Sequence, residues 1–200
     1  PIRSIEVGDM ATLEEIRAVV EKETGPLENE WIVNWCNDCN ADIESLIFIP
    51  ATTYQITINT TDTEYPLPAD LKEINRLWLQ SDFDNGINRE LKVDYRIYGG
   101  KIQFPRPFPF VDTLNVDYYK YLTVFSDITD SIELHDRFMP LYTSYCVGRY
   151  YALFKTQQEI GELMARRNYE RAAVAYNSTK MQVMQTYGFT NPDLSIRERW

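Results

Sequence analysis

The spacing of apolar residues changes twice along this 200-residue chain, and no other feature constrains the fold as strongly. Between residues 30 and 47, apolar side chains recur three and four positions apart, which is typical of an amphipathic helix, and polar residues such as Asn37 and Asn40 take its other face. From Tyr54 to Asn59, apolar and polar residues alternate, which indicates a half-buried strand. The helical spacing returns beyond residue 127. Helices at both ends of the chain and strands between them predict an α+β fold.

Capping and turn residues set the ends of several predicted elements. Thr12 followed by Glu15 is a capping-box signal for a first helix, and Gly25 is expected to end it. In the middle of the chain, residues 82–90 predict a polar loop, and residues 91–95 predict a strand or a single helical turn. Gly99-Gly100 then predicts a hairpin turn.

The last predicted helix covers about residues 159–185. Residues at helical spacing form one predicted stripe along it: Leu163, Tyr169, Ala172, Ala173, Tyr176 and Lys180.

These elements predict a helical bundle made from the N- and C-terminal helices. An antiparallel β-rich block is inserted between them, and an extended C-terminal arm follows. A chain of this length is long enough to bury a sizeable core. The predicted domains are a helical bundle of residues 1–50 and 125–186, an inserted β-rich domain of residues 51–124, and an arm of residues 187–200.

The last segment carries large apolar residues, although it is too short to build a core of its own. Trp and Arg are frequent anchors of protein interfaces, and disordered tails are usually poor in such residues. The segment therefore either folds back on its own bundle or docks on another protein. The candidate docking residues in this segment are Phe189, Leu194, Ile196, Arg197, Arg199 and Trp200.

The net charge of −10 is concentrated near the N-terminus, because residues 1–50 hold three basic and 11 acidic side chains. A general nucleic-acid-binding protein carries a basic stripe, and this sequence has none. An acidic surface repels phosphate, so it suits a wall past which DNA slides. More often, however, an acidic face serves solubility alone.

Neither the cysteines nor the single histidine predicts a reactive site. Cys36 and Cys39 lie in mid-helix on the apolar stripe, whereas a redox CxxC pair needs a helix N-terminus to activate its thiol. A structural zinc site needs four ligands, so one built on this pair would need both Cys146 and His135, the only other Cys and His in the sequence. We therefore expect reduced, buried cysteines and a capping role for His135 near Asp136.

No other pattern predicts catalysis. The sequence has no glycine-rich loop of the kind that cradles phosphate. Acidic residues are plentiful, so the sequence does not exclude a pair of catalytic carboxylates. These residues lie on predicted helix faces and turns, where exposure to solvent is enough to explain them. We expect no cofactor, no metal and no enzymatic activity.

No apolar run approaches the roughly 18–20 residues that cross a bilayer. The first residues also lack the apolar core of a signal peptide. We expect a chain that is made in a cytoplasm and has no membrane partner.

A ligand-binding module for a carbohydrate or peptide is an alternative function for the β-rich block. Its mark would be a row of solvent-exposed aromatic side chains. Tyr95, Tyr98 and Phe104 are the candidates for such a row.

Four segments in a fixed order resemble the tailed-phage head-to-tail adaptor family. A Trp-containing helix begins with WIVNW at residues 31–35, and a strand follows it. The turn segment EYPLPADLKEI at 64–74, the hairpin YGGKIQFPRP at 98–107 and the strand LNVDYY at 114–119 then come in the family's order. The resemblance covers roughly residues 28–186, and it rests on the order and spacing of the segments.

The resemblance implies a non-enzymatic structural subunit of the virion neck, made in the host bacterial cytoplasm. It implies a homo-oligomeric ring of twelve copies that binds the portal protein and connects it to tail components, such as nozzle or tail-tube connector proteins. DNA would pass through the lumen as cargo, without sequence-specific binding. Such families commonly grip the portal with the C-terminal segment, which here runs from Tyr187 to Trp200. A tail-completion or nozzle subunit is the alternative among virion proteins.

Overall fold

The computed structural model describes residues 10–87, 89–154 and 161–188. These residues form α-helices and antiparallel sheets, which confirms the predicted α+β class. They divide into two compact units, which we call the helical unit (described residues up to Ile47 and from Thr123) and the β unit (Phe48–Leu122). The predicted division into domains supposes parts that fold independently, and it stays a prediction.

The elements follow one another in an order of helices, then mostly strands, then helices. In the described residues they are α1 (Leu13–Thr24), α2 (Asn29–Glu44), β1 (Ile49–Pro50), β2 (Tyr54–Ile58), β3 (Glu64–Pro66), β4 (Leu71–Leu79), α3 (Gln80–Asp84), β5 (Arg96–Tyr98), β6 (Lys101–Gln103), β7 (Asp112–Lys120), a 3-10 helix (Asp136–Phe138), α4 (Met139–Phe154) and α5 (Glu162–Tyr187).

The helical unit is organised around α4, which packs against α1, α2 and α5. The capping box predicted at the start of α1 is present, because the Thr12 and Glu15 side chains each accept a hydrogen bond from the other's backbone N–H. The apolar stripe of α2 is buried as its spacing predicted. Gly148 of α4 lies so near Ala172 of α5 that a Cβ on it would stand 3.8 Å from the Ala172 Cβ. The two helices therefore pack closely through small residues.

Two asparagines of α2 hold a segment that follows the β unit in sequence. Asn40 is only 6% exposed; its Nδ2 donates to the Thr123 carbonyl (3.2 Å) and its Oδ1 accepts from the Tyr142 hydroxyl (2.7 Å). The Asn37 amide exchanges two hydrogen bonds with the Phe125 backbone, at 2.9 and 2.8 Å. The sequence placed both residues on the polar face of α2, and for Asn40 that prediction was wrong. Its buried amide is tolerated because both of its polar ends are bonded.

The β unit is organised around β7, which pairs antiparallel with β1, β2 and β4. A second antiparallel sheet has the order β3–β6–β5. Pro66 lies in β3, at an edge of this sheet, where the missing N–H costs no ladder hydrogen bond. Both sheets contribute to one apolar core of Ile56, Ile58, Tyr65, Leu77, Leu79, Ile102, Phe104, Phe108, Leu114, Val116 and Tyr118.

Two local predictions for the β unit were wrong. Residues 82–90 were expected to form a polar loop, but the helix α3 extends to Asp84, and the Asn85 side chain donates to the Ser81 carbonyl at its end (2.7 Å). Residues 91–95 were expected to form a strand or a helical turn, and they form neither. Short polar helices lack the apolar spacing on which the prediction depended.

Candidate assembly surfaces

The C-terminal end of α5 is fastened to the 3-10 helix that precedes α4. The Tyr187 ring meets the Phe138 ring edge-on, with 5.8 Å between centroids. The Tyr187 hydroxyl accepts a hydrogen bond from the His135 backbone N–H (3.4 Å). One residue earlier, the Thr186 hydroxyl accepts from the Arg137 guanidinium (3.2 Å). We call residues 135–138 together with 186–187 the arm base, because the predicted arm begins there.

The arm base is held in shape by local contacts. His135 caps the 3-10 helix, since its Nδ1 accepts from the Arg137 backbone N–H (3.2 Å), which agrees with the capping role predicted for it. The Arg137 guanidinium lies 4.5 Å from the centre of the Phe138 ring, a favourable cation–π distance. Gly188 ends α5 by donating its N–H to the Met184 carbonyl (2.7 Å).

Of the seven residues predicted to bind a partner, only Tyr187 belongs to the described part of the chain. Its ring is half-buried against Phe138. The other six lie outside the described residues: Phe189, Leu194, Ile196, Arg197, Arg199 and Trp200. Their assignment as partner-binding residues stays a prediction.

The outward face of α5 carries apolar residues that sequence reasoning missed. Leu163, Val174 and Met181 are 74%, 71% and 56% exposed. Their spacings of eleven and seven residues place all three on one side of the helix. The opposite side is buried through Ala165, Ala172, Thr179 and Val183. Leu163 had been grouped with Ala172 in one predicted stripe, and the structure separates them.

Two carboxylates of α2 form ion pairs with basic residues of α4 and α5. Asp38 pairs with Arg149 (2.6 Å), and Asp42 pairs with Lys180 (2.5 Å). Hydrogen bonds from Lys180 and from the Tyr176 hydroxyl hold the pKa of the Asp42 carboxyl below its usual value. These contacts join α2 to α4 and α5. Part of the negative charge of α2 is therefore neutralised within the helical unit.

The exposed aromatic row that would mark a ligand-binding β block does not form from its three candidates. Phe104 is 4% exposed and packs edge-on against Tyr65 and Phe108 in the core, so it cannot belong to such a row. Tyr98 is 76% exposed, and Tyr95 is also exposed. The Phe104 ring faces the core because it packs with the rings of Tyr65 and Phe108.

The cysteines form a buried cluster in the helical unit. Cys36, Cys39 and Cys146 are all fully buried, and the Cys36 and Cys146 sulfurs lie 3.9 Å apart. Burial raises the pKa of the Cys39 thiol well above its ordinary value, which keeps that thiol protonated and unreactive. Within the part of the chain that the structure describes, no group of three or more His, Cys, Asp or Glu side chains is arranged to hold a metal ion.

Among the described helices, none combines the length and the apolarity that crossing a bilayer requires.

Comparison with known proteins connects this architecture to one family. No curated protein matches the chain. A family model described as "SU10 adaptor protein" matches residues 11–191, which include both units and the arm base. A chain whose helical ends enclose a β-rich middle segment, and which matches that model over nine-tenths of its length, belongs to the SU10 adaptor family of phage head-to-tail adaptor proteins.

Proposed function

We propose that this chain is a non-enzymatic subunit of a ring that lies beneath the portal of a tailed phage and connects it to tail components. Its C-terminal arm binds the portal. The family supplies the coarse function, a head-to-tail adaptor and component of the virion. The arm base is the observation that supports portal binding by the arm, because its contacts hold the end of α5, from which the segment after Gly188 continues.

The contacts of the arm base explain how a short arm can bind firmly. Tyr187 is held by an aromatic contact and by a hydrogen bond from the His135 backbone, and Thr186 is held by Arg137. A segment that starts from a fixed base loses less conformational entropy on docking than one that starts from a mobile end. The large apolar residues and arginines beyond Gly188 then supply the anchors.

A ring of twelve copies and a passage for DNA complete the proposal, and both follow the family resemblance. Exposed apolar surface on α5 and on the β unit supports a chain that contacts other proteins, since monomers rarely expose large apolar residues in groups. The chain's net charge of −10 supports a passage whose wall does not bind DNA. The tail-side neighbours would be nozzle or tail-tube connector proteins.

The carboxyl groups whose pKa values are lowered support a structural role rather than catalysis, because each of them is hydrogen-bonded to its local surroundings. Asp127 and Asp130 accept backbone hydrogen bonds in a turn, and these bonds lower the pKa of each carboxyl. Glu21 accepts from the Leu27 backbone and from Arg17, which lowers its pKa in the same way. Each of these groups stabilises local structure, so its altered pKa needs no catalytic explanation.

Deleting residues 189–200 tests the arm. We expect the truncated chain to keep its melting temperature and to lose binding to immobilised, purified portal in surface plasmon resonance. Tyr187→Ala is expected to weaken binding roughly tenfold or more, because it removes an anchor at the arm base. Tyr169→Ala is the matched control, since Tyr169 is an exposed tyrosine of the same helix. Unchanged portal affinity in the truncated chain would refute the arm.

Negative-stain electron microscopy of the chain mixed with portal tests the ring. We expect rotational averages with twelve adaptor subunits at one end of the portal. Isolated adaptor bound at scattered positions on the portal would contradict the ring.

A further inference from the structure

The β5–β6 hairpin presents an exposed edge strand. Among the described strands β5 pairs with β6 alone, and all three of its residues are exposed. Gly99 and Gly100 have φ values of 59° and 73°, the left-handed values that a tight two-residue turn requires, so the tip has a defined shape. Ile97 and Tyr98 add large exposed side chains. Exposed edge strands of this kind readily pair with or pack on another chain.

The hairpin and its flanks are basic in a chain that is otherwise acidic. Residues 89–111 hold five basic and two acidic side chains, whereas the whole chain has a net charge of −10. Arg89 pairs with Asp82 (3.2 Å), and Lys101 pairs with Glu64 (3.3 Å). Three exposed basic side chains make no ion pair with any described residue: Lys92, Arg96 and Arg106.

The first two helices have the opposite charge. Residues 10–47 hold nine acidic and two basic side chains. Glu14, Glu28 and Glu30 form no ion pair within the described part of the chain. Trp31 follows Glu30 and is partly exposed, so apolar surface accompanies the free carboxylates.

We propose that the β5–β6 hairpin of one copy docks on the acidic α1–α2 surface of a second copy of this chain. The inference rests on the ring proposed above and names its lateral contact. Free cations on the hairpin face free carboxylates on α1 and α2, and Ile97, Tyr98 and Trp31 supply apolar area. A DNA duplex would engage the cations and leave Ile97 and Tyr98 exposed, whereas a protein surface covers both.

The contact is heterologous, because the two surfaces are different and each copy has one of each. Such contacts continue from copy to copy and close into a ring when the rotation permits. Charge of opposite sign also fixes the order of the surfaces, since hairpin against hairpin and acidic surface against acidic surface are both repulsive.

A charge-swap experiment on the full chain tests this contact. The first variant combines Arg96→Glu with Arg106→Glu, and the second combines Glu28→Arg with Glu30→Arg. Each is expected to lose self-association in sedimentation velocity, because like charges then meet. An equimolar mixture is expected to regain it, since alternating copies restore opposite charges at every contact. The matched control combines Arg96→Lys with Arg106→Lys and keeps the charge, so it is expected to associate as the parent chain does.

Two results would overturn the proposal. One is a mixture that stays monomeric at the highest soluble concentration in low salt. The other is binding of a fluorescent 20-base-pair duplex that the hairpin variant alone abolishes while its self-association is unchanged, which would assign the hairpin to DNA. Circular dichroism checks that each variant is folded, as expected for exposed positions.

Portal binding separates this contact from the arm. The hairpin variant keeps residues 187–200, so it is expected to bind immobilised portal as single copies. If the truncated chain loses portal binding, the result supports the arm. If the two charge-swap variants associate only when mixed, that result supports the lateral contact, and neither result depends on the other. Intact self-association without any portal binding by the full chain would refute the proposed portal grip and leave the lateral contact standing.

Discussion

The helical unit and the β unit reach stability by different routes. In the helical unit each helix forms its own backbone hydrogen bonds, and α4 joins three partners through side chains. In the β unit one strand, β7, supplies backbone partners to β1, β2 and β4. Damage to β7 therefore removes backbone as well as side-chain contacts, whereas damage to one helix leaves the backbone bonds of the others intact. The β unit should be the more cooperative of the two.

Truncating the core of β7 is expected to have the largest effect. Leu114 of β7 is fully buried, so Leu114→Ala should lower the free energy of unfolding by about 2–5 kcal/mol. Urea titration followed by circular dichroism measures the loss. Reactivity of the three buried cysteines, which all lie in the helical unit, shows whether that unit unfolds with the β unit. The exposed Leu153→Ala is the control, and an equal loss there would contradict the expectation.

Removing one hydroxyl from the helical unit should cost less. Tyr142→Phe leaves the buried Asn40 Oδ1 without its 2.7 Å donor, and an unpaired buried acceptor costs about 1–3 kcal/mol. The effect is measured by urea titration. Tyr98→Phe removes an exposed hydroxyl and should change stability little. Equal stability of the two variants would mean that the Asn40 contact contributes nothing.

The same glycine substitution should have opposite signs in the two units. Gly99→Ala places a side chain at φ 59° and should destabilise the β5–β6 hairpin by about 1–2 kcal/mol. Gly148→Ala adds a methyl group to α4 at ordinary contact distance from Ala172 of α5. It should stabilise the helical unit by up to about 1 kcal/mol, because alanine favours a helix over glycine. Native-state hydrogen exchange of each region measures both. Stabilisation by Gly99→Ala would contradict the left-handed turn.

The smallest effect is expected at Asp42 and depends on pH. Its folded pKa is lowered by Lys180 and Tyr176, so its contribution to stability is present above the unfolded carboxyl pKa of about 3.9 and is lost as pH falls through the lower folded value. Because the pair is partly exposed, about 0.2–1 kcal/mol is expected at pH 7. Urea titrations of the parent chain and Asp42→Asn should differ at pH 7 and converge once the pH falls below the lowered pKa of the folded Asp42 carboxyl. A constant difference would mean that the Asp42 charge is not responsible.

Local signals made much of the fold predictable. The capping pair Thr12 and Glu15 and the stop at Gly25 predicted α1 within a residue, because caps act through neighbouring backbone groups. The Gly99-Gly100 turn predicted the β5–β6 hairpin for the same reason. At the candidate surfaces, Tyr187 was named as a docking residue because the family resemblance places the docking segment at Tyr187 to Trp200. Its contacts with Phe138 and His135 were not predicted, since they join residues about fifty positions apart.

The sequence by itself determined where the longer helices and most strands occur, because the period of the apolar residues follows from the geometry of each backbone. Only the tertiary structure decided how wide each buried face is. Asn40 is buried because Tyr142 and Thr123 bond both ends of its amide, and Phe104 turns inward because Tyr65 and Phe108 receive its ring. Burial of these two side chains depends on residues distant in sequence, and a local pattern does not indicate which distant residues will contact it.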